Sequence, residues 1–344
     1  MSGLRVAVIG CGLIGAKRAA ALTADDELIA CYDVSEQAGE RLAGQYGAAA
    51  AGSVEELLAL APDVVVVATV HDQLARLARQ ALEAGAHVLV EKPAGVSVSQ
   101  IEALIECQRA SGRLVKVGFN HRFHPGIARA VKEVHSASHG ELMYLRGRYG
   151  HGGRIGYDRE WRAEPARSGG GELIDQGMHL LDLTHWLAGP LPLHSALLRT
   201  HFWDTPVEDN AALILGTPQS RTDPWAMLQV SWTEWKNLFS LEIFCRTAKL
   251  QVDGLVRSYG PQRLRIYRMA PELGPPDLEE IQYPGEDHSW ELEWANFAAA
   301  IDAGEERLLN GDLGDARYAW EQVEAAYAGG PYAEMRRGVA APLG

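Results

Sequence analysis

The chain has 344 residues, 47% hydrophobic and 22% charged, with a formal net charge of −13 at neutral pH. This length predicts two domains with ample core, and the acidic balance argues against nonspecific binding to nucleic acid or to an anionic membrane. An acidic surface explains the charge, and a cationic substrate such as an amino sugar is a second reading. No apolar run approaches the ~20 residues of a membrane span, and the N-terminus lacks the order of a signal peptide. Cys11, Cys31, Cys107 and Cys245 form no C-x-x-C pair. That predicts free thiols in a reducing cytoplasm.

Leu4 to Ile9 reads as a buried strand that breaks into G-x-G-x-x-G at Gly10, Gly12 and Gly15, with helix formers after it. Gly10 suits the tight turn, Gly12 the close approach of a pyrophosphate and Gly15 the packing of helix on strand. Gly10, Gly12, Leu13, Ile14 and Gly15 are the expected phosphate contacts, aided by the amide groups that open the helix. A second strand, Leu28 to Asp33, ends in an acid placed to accept hydrogen bonds from an adenosine ribose and to repel a 2′-phosphate. This favours NAD over NADP. Asp33 or Ser35 also reads as a helix cap, and the two roles can coexist.

Ser53 caps a short helix, and Val64 to Thr69 reads as a strand whose four valines are buried on both faces. Thr69 and His71 are expected at that strand's end, in the ligand crevice; for His71 an exposed loop is the competing account. A helix over residues 72–84, a strand over 87–90, a helix near 97–110 and a strand over 114–118 complete a doubly wound sheet. The strand at 87–90 delivers Glu91-Lys92-Pro93. A lysine there is either a surface charge or a donor to a substrate oxygen that gains negative charge.

In the second half, residues 126–134 predict a linking helix and Leu142 to Tyr149 a strand. The glycine-rich run from His151 to Arg162 predicts a loop over the site, with His151, Arg154, Trp161 and Arg162 as substrate contacts or as surface and packing residues. Gly169-Gly170-Gly171 precedes a helix expected to run to about Ala188. Asp175 and His179 share a face of it, so a carboxylate can orient an imidazole that works as a base. Asp182 and His185 extend the series, but a metal site lacks a matching ligand cluster. Runs over 193–200, 210–216, 225–233, 238–245, 248–258 and 263–268 predict strands, Met269 to Pro276 a loop, and 288–302 and 312–328 closing helices. Alternation puts Trp225 and Trp232 on opposite faces, and likewise Trp232 and Trp235.

The runs G-C-G-L-I-G at 10–15, V-E-K-P at 90–93, G-F-N-H-R-F at 118–123 and G-G-G-E-L-I-D-Q-G-M-H at 169–179 together resemble the Gfo/Idh/MocA family of NAD(P)-dependent oxidoreductases. The resemblance implies an α/β Rossmann domain (residues 1–121) and an α+β domain (122–344) with a large open, mostly antiparallel sheet. It also implies that the last helices of the second domain pack back on the first and that the open sheet forms a homo-oligomer, a dimer or tetramer. It implies hydride transfer at a secondary carbon of a sugar, amino sugar, aminoglycoside or cyclitol, with Lys92, Asp175 and His179 as the catalytic group. Thr69, His71, Glu91, Lys92 and Asn120 join the expected cofactor contacts, and Asn120 and Arg122 the substrate contacts. One departure is Val70-His71-Asp72, where the family often has a proline and a later histidine. Two alternatives stand beside this reading: a non-catalytic dinucleotide sensor, and a dihydrodiol or imine oxidoreductase.

Overall fold

The computed structural model describes residues 3–306, 308 and 310–337. They divide into two units: one holds the chain up to Phe119 with Trp290–Arg317, the other Asn120–Ser289 with the chain from Tyr318 onward. In the first unit, strands β1 (Arg5–Ile9), β2 (Glu27–Tyr32), β3 (Ala49–Ala50), β4 (Val64–Val67), β5 (His87–Val90) and β6 (Val115–Val117) alternate with helices. The helices are α1 (Leu13–Ala20), α2 (Glu36–Tyr46), α3 (Val54–Ala59), α4 (His71–Glu83) and α5 (Val98–Ser111).

The strands are all parallel, in the order β3-β2-β1-β4-β5-β6. That order reverses direction between β1 and β4, and ligands bind an open α/β sheet at the strand ends beside such a reversal. All four β4 valines are buried, as a strand covered on both faces requires. Ser53 caps α3 by accepting from the Glu56 amide, and Ser97 caps α5 by accepting from Gln100. Val6, Val8, Leu28, Val64 and Leu89 form the core with Trp294 and Phe297 from far down the chain. Burial of Phe297 alone contributes about 2 kcal/mol.

The second unit begins with a 3-10 turn over Asn120–Phe123 and α6 (Pro125–His135), followed by β7 (Leu142–Gly150), α7 (Pro165–Ser168) and α8 (Met178–Ala188). Strands β8 (Leu193–Arg199), β9 (Asn210–Leu215), β10 (Trp225–Ser231), β11 (Leu238–Cys245), β12 (Ala248–Asp253), β13 (Gln262–Arg268) and β14 (Asp277–Tyr283) come next. The chain closes with α9 (Ser289–Asp302), α10 (Leu313–Ala328) and α11 (Ala333–Arg337). The sheet runs β14-β13-β12-β11-β7-β10-β9-β8 and is antiparallel except where β7 meets β10.

Its inner face buries Leu145, Leu228, Val230, Leu241 and Ile243. Its outer face carries Trp225 and Met227, both exposed, with Trp225 and Phe244 stacked on either side of Tyr144 at 5.1 and 4.2 Å. Trp232 is buried whereas Trp225 and Trp235 are exposed, in keeping with the alternation.

Some expectations need correction. Strand β14 falls just after the expected loop; as an edge strand bearing Asp277, Glu279 and Glu280 it is mostly exposed, so its apolar signal is weak. The run expected as a strand to residue 258 ends at Asp253, where Gly254 takes a left-handed φ of +79°. The loop from His151 to Arg162 contains 3-10 turns at Tyr157–Arg159 and Trp161–Ala163. His71 is neither at the strand end nor exposed: β4 stops at Val67, and His71 is the buried first residue of α4. The helix after the three glycines opens as a π turn, Leu173–Gly177, before α8 begins. No described helix is long and apolar enough to cross a membrane, and the four cysteines are free.

Candidate active site

In the first unit the glycine loop is built by exclusion. Gly10 has a φ of +94°, and a Cβ there would stand 2.5 Å from the Ala68 carbonyl oxygen. A Cβ on Gly15 would lie 1.8 Å from the Gly10 oxygen. Gly12 differs: a Cβ would meet nothing within 4 Å, so its constraint is not internal packing. Gly12 caps α1 without a side-chain acceptor, and the first turn has no acidic residue. Those amides remain available to an anion. Leu13 is exposed at the loop's rim.

Asp33 follows β2 and is held by two backbone amides, Cys11 N–H to Oδ2 at 2.7 Å and Ser35 N–H to Oδ1 at 2.8 Å. Ser35 is the α2 cap residue, so Asp33 both shapes the helix entry and fixes a carboxylate beside the glycine loop. Together these features fit an NAD pyrophosphate and adenosine ribose.

Glu91 and Lys92 follow β5. Glu91, expected at the cofactor, instead turns its buried carboxylate to Arg18 of α1, with Arg18 Nε donating at 2.7 Å. Arg18 also meets Glu293 of α9 at 2.6 Å. Burial disfavours the Arg18 charge, but Glu91 and Glu293 more than offset this and its pKa is raised. A Cβ on Gly118 would come within 2.5 Å of this guanidinium, so Gly118 leaves the space it fills. The ion pair ties the end of β5 to α1, and Lys92, half-buried, is the next residue along. Thr69, also half-buried, directs its hydroxyl to the Val70 carbonyl at 3.3 Å.

In the second unit, Asp175 lies in the π turn, a distortion common at functional sites. Its Oδ2 accepts from Tyr157 Oη and from Arg162 Nε, both at 3.3 Å. Burial works against the Arg162 charge, but Asp175, Tyr157 and Glu160 raise its pKa overall. Burial and the nearby Asp175 and Glu172 push the Tyr157 hydroxyl up, so it stays a donor. His179 begins one turn later and is buried, its ring stacked on His121 at 3.7 Å and 21°. His121 Nδ1 lies 3.2 Å from Asn120 Oδ1, and the Asn120 amide donates to Ser289 Oγ at 2.9 Å. Tyr149 stands edge-on to His179 at 6.3 Å. Asn120 thus positions the histidine pair.

Arg122, expected at the substrate, is a correction: it is buried, and its Nε donates to both Asp182 oxygens at 3.1 and 2.9 Å. Asp182 thus supplies the counter-charge of Arg122. His151, Glu172 and Asp175 bring side-chain ligand atoms within 4.8 Å of one another. Asp175 is paired with Arg162 at 3.3 Å. Arg154 reaches outward to Glu160 at 2.7 Å. Trp161 is half-buried and carries the Arg162 guanidinium over its ring at 4.6 Å.

Sequence reasoning missed what lies under the π turn. Glu208 is fully buried and accepts from the amides of Gly171 at 3.2 Å and Leu173 at 3.0 Å, and from Tyr327 Oη at 2.7 Å. Burial pushes its pKa up to about 7 despite those donors. A Cβ on Gly170 would be 2.2 Å from Tyr327 Oη, and one on Gly171 would be 2.0 Å from the Glu208 carbonyl oxygen. The glycine run exists to let these groups close on the helix start.

Residues 4–119 match the model of an oxidoreductase family with an NAD-binding Rossmann fold, Gfo/Idh/MocA, and residues 127–251 match that family's C-terminal domain. Among curated proteins, the chain is 29% identical over 167 residues to levoglucosan dehydrogenase of Pseudarthrobacter phenanthrenivorans, covering 47% of this chain and 43% of that one. It is 33% identical over 194 residues to D-glucoside 3-dehydrogenase of Escherichia coli, covering 55% of each. The chain thus spans about half the length of the curated relatives it matches. A solved levoglucosan dehydrogenase in complex with NADH and levoglucosan shares the fold at 19% identity, with a TM-score of 0.82 and coverage of 94% and 97%.

Proposed function

Because the chain belongs to the Gfo/Idh/MocA oxidoreductase family, with its NAD-binding Rossmann fold, we propose that it is an NAD-dependent dehydrogenase. Its substrate is a secondary hydroxyl of a sugar, amino sugar or cyclitol, or in reverse the matching ketone. The observation that carries this reading is the Asp175–His179 turn. It sets a carboxylate and an imidazole one turn apart, the first gripped by Tyr157 and Arg162, the second by its stack on His121.

Bound NAD would supply the hydride acceptor at nicotinamide C4. Gly10, Gly12, Leu13, Ile14 and Gly15 hold its pyrophosphate, Asp33 its ribose, and Thr69, His71 and Lys92 line the approach to the nicotinamide. His179 takes the hydroxyl proton as the C–H electron pair departs and the carbonyl forms. Asp175 holds the substrate-side charge pattern, and Lys92 donates to the same oxygen, stabilising its negative charge. His151, Trp161 and Arg162 contact the ring that is oxidised. The relatives named for levoglucosan, D-glucoside and, in Rhizobium meliloti, inositol support sugar-like substrates. The outer face of the large sheet, with Trp225, Tyr144, Phe244 and Met227, is the proposed homo-oligomer contact. The enzyme works in the cytoplasm.

Following NADH formation over a panel of sugars, aminoglycosides and inositols tests the activity. Oxidation of at least one class is expected, with Lys92→Ala losing most of it. A Lys92→Ala enzyme of undiminished turnover would remove the proposed roles.

A further inference from the structure

The π turn that carries Asp175 is held from beneath by one residue. Glu208 meets three consecutive amides at the start of that turn: its Oε2 accepts from Gly171 at 3.2 Å, its main-chain carbonyl from Glu172 at 3.0 Å, and its Oε1 from Leu173 at 3.0 Å. Tyr327 Oη of α10 lies 2.7 Å from both carboxylate oxygens, to which it donates, and itself accepts from the Gly171 amide at 3.2 Å. Arg336 of α11 grips the other end of the glycine run. It donates to the Gly169 carbonyl at 2.7 Å, with its guanidinium over the Tyr327 ring at 5.6 Å.

This hold reaches Asp175 by two routes. The Gly171 carbonyl, whose own amide Glu208 and Tyr327 fix, accepts from the Asp175 amide at 3.1 Å. Val207, the residue before Glu208, packs with Tyr157 and Trp232 in one buried cluster, and Tyr157 Oη donates to Asp175 Oδ2 at 3.3 Å. One short segment therefore supports both partners of the Asp175–Tyr157 bond, the turn through Glu208 and the ring through Val207. His179 follows Asp175 by one helical turn, so a shift of the turn moves both. Capping alone does not ask for this much. At α3 and α5 a single serine hydroxyl serves. Glu208 has 0% of its surface exposed, a costly place for a carboxylate, and costs of that kind gather at functional sites.

We propose that Glu208 and Tyr327 are positioning residues: they touch no substrate, but set the turn from which Asp175 and His179 meet it. Arg336 completes the hold from the C-terminal segment. Reacting groups are productive only within a narrow range of geometry, so this network acts on the rate of the bound complex rather than on binding. The inference rests on the dehydrogenase reading above.

Steady-state oxidation by wild type, Tyr327→Phe, Glu208→Gln and Glu208→Ala, each at saturating NAD and well below its melting temperature, tests it. Amide hydrogen exchange over residues 169–179 is followed by mass spectrometry in the same proteins. Tyr327→Phe should lower kcat about threefold to tenfold and Glu208→Ala about 10²-fold, the scale of a small misplacement imposed from outside the chemistry, with substrate KM and NAD Kd within about twofold of wild type. Glu208→Gln, which keeps one acceptor, should recover part of the Glu208→Ala loss. Exchange should quicken by about tenfold or more at 171–173 and stay level in the sheet of the same unit. Should Glu208→Ala fail to fold, Tyr327→Phe and Glu208→Gln carry the test. A wild-type kcat per folded molecule in both overturns the positioning role, leaving Glu208 a cap of the fold alone. A loss confined to KM, or exchange that rises evenly through the second unit, overturns it as well. If wild type oxidises no sugar while exchange quickens at the turn alone, the dehydrogenase reading fails and the hold on the turn stands; if wild type turns over and both variants match it, the positioning role alone fails.

Discussion

Adding one methyl group at Gly12 and one at Gly15 separates the cofactor's demand on the glycine loop from the fold's. At Gly15 the new carbon would sit 1.8 Å from the Gly10 carbonyl oxygen, a backbone atom with no rotamer to yield. The loop must open or α1 must shift, at about 3 kcal/mol or more, the upper end of overpacking costs. At Gly12 the carbon meets nothing within 4 Å, and φ is −73°, ordinary for alanine. Gly12→Ala should therefore cost no more than about 1 kcal/mol, the scale of a weaker cap. Its methyl projects beside the free amides of the α1 start, where the pyrophosphate is proposed to lie. Loss of one or two hydrogen bonds to a charged group, about 1.5–3 kcal/mol each, would weaken NAD roughly tenfold to a hundredfold or more. Urea unfolding and NAD titration of both variants give the four numbers needed. Gly12→Ala binding NAD as tightly as wild type would refute the phosphate loop, and so would a loss of NAD matched by an equal loss of stability.

Three further outcomes follow from single side chains. Asp33→Ala should narrow the preference for NAD over NADP by about tenfold or more, since the carboxylate that repels a 2′-phosphate is gone; an unchanged ratio of kcat/KM values for the two cofactors contradicts this. Asp182→Asn leaves the buried Arg122 guanidinium without its counter-charge and should cost about 3–5 kcal/mol in urea unfolding, with Arg122→Met in the same chain recovering much of it; a loss below about 1 kcal/mol would count against that pairing. Glu208 keeps its proton to about pH 7 in the fold but only to about 4.5 in the unfolded chain, so the ionised form is the disfavoured one. The stability of wild type relative to Glu208→Gln should therefore fall between those values by up to about 3 kcal/mol and stay level above them. A gap that widens in favour of wild type as pH rises would reverse the assignment.

What the sequence disclosed depended on how locally each feature is specified. The glycine loop, the four valines of β4 and the cap at Ser53 are set by neighbours a few residues away, and spacing alone reveals them. Asp33 needed only the strand that precedes it. Arg122 and Asp182 lie 60 residues apart, and nothing near either says that their charges cancel, so Arg122 reads as a substrate contact. Glu208 and Leu173 are 35 residues apart; only the triple glycine hinted that another group must close on the helix start. A helical pattern cannot reveal one inserted residue, so the sequence predicts regular helix at Asp175 where the structure has a π turn. The stack of His121 on His179 was equally hidden. Its one trace was two histidines, each in a motif of the resemblance, with no stated link between them.

The claim on which the account turns is that Lys92 and His179 act on the same oxygen. Single-turnover reduction of NAD by the best substrate, in wild type, Lys92→Ala, His179→Ala and the double variant, measures it most directly. Residues that work as a unit are non-additive. Each single variant should lose about 10²–10⁴-fold, and the double variant little more than the worse single one. Losses that multiply in full, or a single variant that keeps the wild-type rate, would contradict the account.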